Sequence, residues 1–186
     1  VGKPTPGHDV RIVDDDGKEL PANEEGNIAI YLSGQRPPGL MKEYWRDPDA
    51  MQGAFRGDYY FTGDRAYRDD EGYFWFVGRK DDVIKSSGYR IGPFEVESAL
   101  IEHPAVVECA VVGAPDPTGV RGNVVKSFVV LAEGYEPSEA LTRELQDHVK
   151  NTTAPYKYPR IIEYVTELPK TISGKILRRE LRDRPS

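Results

Sequence analysis

The 186 residues carry 25 Lys and Arg against 31 Asp and Glu, a net charge of −6 at pH 7, with an isoelectric point near 5.2. An acidic chain lacks the basic face that phosphate neutralisation demands, which excludes a general nucleic-acid binder. Eleven Tyr and six Phe, with hydrophobic residues at 38 %, exclude a disordered acidic chain, and no apolar run approaches the ~18 residues of a membrane span.

In chain order, Val1–Gly7 carries two Pro and two Gly and reads as the middle of a longer structure. Strands are expected at Val10–Val13 and Ile28–Leu32, with turn chemistry at Asp14-Asp15-Asp16-Gly17 and a loop at Gln35–Leu40. Arms Arg65–Arg68 and Tyr73–Val77 around Asp69-Asp70-Glu71-Gly72 predict a hairpin, so the chain is β-rich to about residue 78. The character changes at Gly78-Arg79-Lys80-Asp81-Asp82. A short strand Val83–Lys85 precedes Ser86–Gly92. Pro93 then suits a first helical turn, and Phe94, Val96, Leu100 and Ile101 supply an apolar stripe. Val106–Val112 and Val124–Leu131 read as strands. Ser138 is the N-cap of a helix to about Val149, with Leu141, Leu145 and Val149 on one face. A strand at Ile161–Val165 and a short helix at Ile176–Leu181 complete a β-α-β-β-α-β-α order. The fold class is α+β.

A single cysteine, Cys109, excludes an internal disulfide and a cysteine-rich zinc site. Its apolar setting marks a small core residue, and a reducing cytoplasm is the expected compartment. His8, His103 and His148 have no metal-ligand spacing, and His103, before Pro104, reads as a helix-end cap or a solvated group.

Three segments resist a purely structural explanation as a set. In isolation Tyr60-Phe61-Thr62-Gly63-Asp64 reads as a Gly-Asp turn, Gly78 to Ile91, with its alternating charges, as a solvated linker, and Pro169-Lys170-Thr171-Ile172-Ser173-Gly174-Lys175, before the basic Arg178-Arg179, as an ordinary surface end.

As an ordered set these segments resemble the C-terminal part of the adenylate-forming acyl-CoA synthetase superfamily (AMP-binding enzymes), and Gly2-Lys3-Pro4-Thr5-Pro6-Gly7 matches its Gly-Lys-Pro-x-Pro-Gly segment. Ser86–Glu97 and Ala154–Arg160 are most similar to the short- and medium-chain fatty acyl-CoA synthetases. The superfamily's Ser/Thr/Gly-rich phosphate loop ending in Pro-x-Lys and its Tyr-Gly-x-Thr-Glu segment do not occur in these residues. The resemblance therefore implies a C-terminal fragment. Residues 1–79 are expected to form the last β-rich subdomain, a distorted barrel, of a large N-terminal domain. Residues 80–186 are expected to form a small α+β lid with a short central sheet flanked by helices.

The activity implied is an ATP-dependent, AMP-forming acid–thiol ligase that makes acyl-AMP and then acyl-CoA, with the isolated segment inactive. ATP, CoA and Mg²⁺ are the implied cofactors, the metal riding on ATP and on large-domain carboxylates. By resemblance, Lys175 is the adenylation cation, Asp64 and Arg79 contact ATP or AMP, and Asp81 is the hinge. Ser87, Gly88 and Tyr89, with Arg121, Lys150, Tyr158, Pro159 and Arg160, bear on CoA, and Arg90 lies near the acyl–phosphate region. Pro169 to Lys175 also resembles a sequence that a lysine acetyltransferase modifies and a deacetylase restores. Two other readings are a ligase for aromatic or other acids of the same superfamily, and a stand-alone CoA- or partner-binding lid module without catalysis.

Overall fold

Alternation of apolar and polar residues builds an antiparallel sheet from β1 (Asp9–Val13), β2 (Gly26–Tyr31), β3 (Phe55–Arg56), β4 (Tyr59–Arg68) and β5 (Phe74–Arg79). The computed structural model describes residues 2–34 and 36–184; Val1, Gln35, Pro185 and Ser186 lie outside the described residues, so the ends of the expected Val1–Gly7 and Gln35–Leu40 segments do too. The chain divides after Asp81 into two units.

In the first unit β2 lies between β1 and β4, while β3 pairs with the start of β4 and β5 with its end. Successive residues face opposite sides. Ile12, Ala66 and Phe74 are buried on one face, and Val13, Ala29 and Phe61 on the other. Among the described residues no pairing joins β1 to β3 or β5. The expected distorted barrel is therefore corrected to an open five-stranded sheet. Two of the strands share a single edge of β4, which leaves β1 with nothing to close against.

The predicted hairpin forms with the expected turn. Asp69 Oδ1 accepts from the backbone N–H of Glu71 (3.0 Å) and of Tyr73 (2.8 Å), and its Oδ2 accepts from Trp75 Nε1 (2.7 Å). A short helix, α1 (Pro48–Ala54), was not expected. Its start is nonetheless legible: Asp47 caps it by accepting from Ala50 N–H at 3.0 Å, and Pro48 occupies the first turn.

In the second unit β6 (Ile84–Ser86) and β7 (Tyr89–Ile91) form a hairpin, and α2 (Pro93–Ile101) follows. β8 (Val106–Pro115) and β9 (Asn123–Leu131) pair antiparallel; α3 (Glu139–Thr152) then carries the chain across so that β10 (Ile161–Tyr164) runs parallel to β9. The terminal α4 (Arg178–Arg182) starts later than the sequence suggested, because Ile176 is bridged to Lys170 instead.

The three-stranded sheet is covered on both faces. Cys109, Val111, Val125 and Val129 meet Val96, Leu100, Leu141, Leu145 and Val149 of α2 and α3. Ala110, Val112 and Phe128 meet Leu168 and Leu181 on the other side. The period-2 pattern of β8 and β9 thus serves two cores at once. Cys109 is the buried core residue expected, and burial pushes its thiol up to about 12. His103 is 7 % exposed: its Nδ1 accepts from Ala105 N–H at 3.2 Å and its Nε2 meets Glu144 at 3.2 Å, which supports the cap reading over the solvated one. No helix among the described residues is long and apolar enough to cross a membrane.

Candidate functional site

In the first unit, Asp64 and Arg79 are brought together as directly facing residues of β4 and β5, with Arg79 Nη1 donating to Asp64 Oδ1 at 3.2 Å. Thr62 Oγ1 donates to the Ile28 carbonyl and accepts from the Asp64 N–H, each at 3.1 Å, so the approach to the carboxylate is fixed from β2. Tyr60-Phe61-Thr62-Gly63-Asp64 is strand, not turn. Gly63 marks an irregularity within it, with φ +83°, and a Cβ there would lie 2.9 Å from Arg79 Nη2. Only glycine takes both that dihedral and the overlying guanidinium without strain. About a third of the Asp64 side chain is exposed.

Tyr60 was missed by sequence reasoning. Burial pushes its hydroxyl up to about 12, with a hydrogen bond to Tyr44 adding to the shift, and Arg79 and Asp64 are close enough to act on it. It lies four residues before Asp64, in a segment already singled out. Asp81 lies in an exposed turn at the point where the chain divides.

In the second unit, Ser87 and Gly88 form the two-residue loop of the β6–β7 hairpin, with φ of 48° and 85°. Positive φ at both residues is the signature of a type I′ turn. A Cβ at Gly88 would meet nothing within 4 Å, so glycine is needed there for its backbone conformation. Tyr89 stacks on Tyr156, ring centroids 4.2 Å apart and 15° from parallel. A bridge between Ser86 and Gly122 draws the Asp116–Gly122 loop, which carries Arg121, alongside the same hairpin. That loop is built on Asp116, whose carboxylate accepts from the Thr118 N–H (3.0 Å) and hydroxyl (2.8 Å) and from the Arg121 N–H (2.9 Å). These bonds, Thr118 first, hold the Asp116 carboxyl below the usual carboxylate range. Arg90 is exposed on β7, opposite Lys85.

Lys150, Tyr158 and Arg160 converge. The Lys150 ammonium lies 4.4 Å and the Arg160 guanidinium 4.7 Å from the centroid of the Tyr158 ring, and Arg160 Nη1 donates to the Tyr158 hydroxyl at 2.7 Å. Gln146 Nε2 donates to the carbonyl of Pro159, itself buried, and fixes the segment to α3. Two cations on one ring repel each other unless an anion joins them. Lys150 has a local acid, Asp147 at 2.7 Å, whereas no acid pairs with Arg160 among the described residues. Tyr156 was not singled out from sequence, although the run Tyr156-Lys157-Tyr158, aromatic on both sides of a cation, was visible.

Lys175 lies on a tight turn, exposed, and its Nζ has no hydrogen-bond or ion-pair partner among the described residues. The turn is stiffer than a glycine-containing loop suggests. Thr171 N–H donates to the Lys175 carbonyl at 2.8 Å, Lys175 N–H to Thr171 Oγ1 at 3.0 Å, and Leu177 N–H to the Pro169 carbonyl at 2.9 Å. Among the described residues no group of three or more His, Cys, Asp or Glu could hold a metal ion.

Residues 95–175 match the family model of the AMP-binding enzyme C-terminal domain. The acyl-coenzyme A synthetase ACSM4, mitochondrial, of Mus musculus is 61 % identical over 185 residues, 98 % of this chain and 32 % of that protein. ACSM5, mitochondrial, of Rattus norvegicus is 59 % identical over 185 residues, with the same coverage of each. Among solved structures, an anthranilate CoA ligase in complex with anthranoyl-AMP superposes with a TM-score of 0.83 at 45 % identity, over 97 % of this chain and 34 % of that one. The chain thus spans about a third of the length of the relatives it matches. With the family match, these identities and the shared fold, the chain belongs to the superfamily of adenylate-forming, AMP-binding enzymes.

Proposed function

We propose that these residues are the C-terminal part of an ATP-dependent acid–thiol ligase that activates a short- or medium-chain fatty acid as acyl-AMP and transfers the acyl group to CoA. The observation that carries the reading is the meeting of Lys150, Tyr158 and Arg160 two residues from the Tyr89–Tyr156 stack. That surface offers π faces and cations to one ligand, as a phosphorylated nucleotide with a thiol arm requires. The relatives named as acyl-coenzyme A synthetases support the same reaction class.

In this account residues 1–79 are the last subdomain of the large domain and residues 80–186 the mobile lid, with Asp81 as the residue whose backbone rotation moves it. Asp64 accepts from the ribose hydroxyls, for which a carboxylate offers two acceptor oxygens, and Arg79 holds the ribose–phosphate region. Lys175 supplies a cation where negative charge builds on the α-phosphoryl oxygens as the acid attacks and pyrophosphate leaves. In the second half-reaction Ser87, Gly88 and Tyr89 line the thiol arm, Arg121, Lys150, Tyr158, Pro159 and Arg160 hold the CoA nucleotide, and Arg90 lies towards the acyl phosphate. Mg²⁺ enters with ATP and rides on its phosphates and on large-domain carboxylates. The exposed Lys175 amine is open to a lysine acetyltransferase and a deacetylase, and acetylation would delete the adenylation cation. A single buried cysteine suits a reducing compartment; the relatives are mitochondrial, so the cytoplasmic expectation gains no support from them.

Pyrophosphate release by the full-length enzyme, measured over a panel of carboxylic acids, tests the reading. Release that depends on C4 to C12 fatty acids and yields a CoA thioester bears it out; release without any thioester product refutes it. A second reading, a ligase for aromatic acids, draws on the structural likeness to the anthranilate CoA ligase, and benzoate-type acids in the same panel decide between the two.

A further inference from the structure

The Lys175 turn is held from both sides by charge pairs. On the incoming arm, Lys170 Nζ lies 2.7 Å from Glu108 Oε1 of β8. On the outgoing side, Arg178 Nη2 donates to both carboxylate oxygens of Glu97, each at 2.8 Å. The second pair is almost wholly buried, with side-chain exposures of 10 % for Arg178 and 9 % for Glu97. Glu97 Oε1 also accepts from the Val111 N–H at 2.8 Å, which occupies an open edge position of β8, an outer strand of its sheet. The Arg178 guanidinium lies 4.7 Å from the Phe94 ring centroid, one turn before Glu97 on α2. One carboxylate therefore ties together α2, β8 and the first residue of α4, three positions after Lys175.

As a source of stability this arrangement is poor. Two charges leave water, and Arg178 Nε is buried without a partner among the described residues. Its geometry, in contrast, is specific: the carboxylate fixes where Arg178 sits, and three residues of chain cannot then carry Lys175 more than ~10 Å from that point.

We propose that the Glu97–Arg178 pair is a positioning device that sets the base of the turn presenting Lys175, so that breaking it impairs adenylation selectively. The proposal rests on the reading of Lys175 as the adenylation cation. A misplacement of about 1 Å at a reacting group costs up to about 100-fold in rate, which sets the expected scale.

The test uses the full-length enzyme and two half-reactions, acid-dependent pyrophosphate exchange and thioester formation from supplied acyl-AMP, together with amide hydrogen exchange. Glu97→Gln keeps the acceptor for Val111 but removes the charge. It should slow pyrophosphate exchange by about 10- to 100-fold, leave thioester formation within about twofold, and speed exchange at Thr171, Gly174 and Leu177 but not in α3. Arg178→Lys, which keeps the charge but not the planar guanidinium that reaches Glu97 through Nη2 and lies by the Phe94 ring, should fall between this variant and the wild type. The double variant Glu97→Gln/Arg178→Met leaves no unpaired buried charge and covers the case in which a single variant does not fold. Equal loss of both half-reactions, no change in either, or failure of the double variant to fold would each overturn the proposal. Lys175→Ala is the control: if it spares pyrophosphate exchange while Glu97→Gln still loosens the turn, the reading of Lys175 has failed and the role of the pair in holding the turn has not.

Discussion

Replacing Arg160 with Ala separates a CoA-binding role from a structural one. The side chain is half-buried, lies against the Tyr158 ring and donates to its hydroxyl, but belongs to neither apolar core. The backbone bond from the Arg160 N–H to the Val125 carbonyl, 2.9 Å, survives the change. The stability cost is then that of one half-buried cation–π contact, about 0.5–1 kcal/mol, plus the lost hydrogen bond to the Tyr158 hydroxyl, about 1 kcal/mol. A lost charge-assisted contact to a phosphate costs about 1.5–3 kcal/mol, or about 10- to 150-fold in affinity. In the full-length enzyme the KM for CoA should rise by that factor, with KM for ATP and acid unmoved. Steady-state kinetics with CoA and with dephospho-CoA, which lacks the 3′-phosphate, identify the group concerned. The wild type should prefer CoA by about the same factor, and Arg160→Ala should erase the preference. An unchanged KM for CoA, or equal losses for both thiols, would refute the reasoning.

Two further outcomes follow from the electrostatics. Burial holds the Cys109 thiol at about 12, so the native protein at pH 8 should leave it unmodified by a thiol reagent and the unfolded protein should react; mass spectrometry of the Cys109 peptide checks this, and rapid native labelling contradicts it. Asp15, bonded first by Lys80 (2.7 Å) and then by Asn27, has its carboxyl lowered to about 2. Because the folded value lies below the unfolded one, its contribution to stability is complete above about pH 4 and is lost as pH falls through 2. With both side chains about half exposed, that contribution is at most about 1 kcal/mol. A carbon-detected titration of Asp15 near the ordinary value of 3.8 would contradict the pairing.

Local rules carried most of the second unit. Ser138 caps α3 by accepting from the Leu141 N–H at 3.2 Å, Pro93 opens α2, and the β-branched runs became β8 and β9. The first unit was less legible. Gly63-Asp64 has turn composition, yet the ladders to β2 and β5 keep it in a strand; long-range pairing overrode a two-residue signal. Closure of a barrel cannot be read from strand patterns, and the sheet is open. The candidate CoA residues came from the resemblance, but that Lys150 and Arg160 share one ring is a fact of packing. The Glu97–Arg178 pair joins residues 81 apart, beyond the reach of any local pattern.

The proposed function requires that the exposed amine of Lys175, unpaired among the described residues, act in the first half-reaction alone. Lys175→Ala in the full-length enzyme should slow acid-dependent pyrophosphate exchange by about 10²–10³-fold while leaving thioester formation from supplied acyl-AMP largely intact. Equal loss in both assays, or exchange at the wild-type rate, would contradict it.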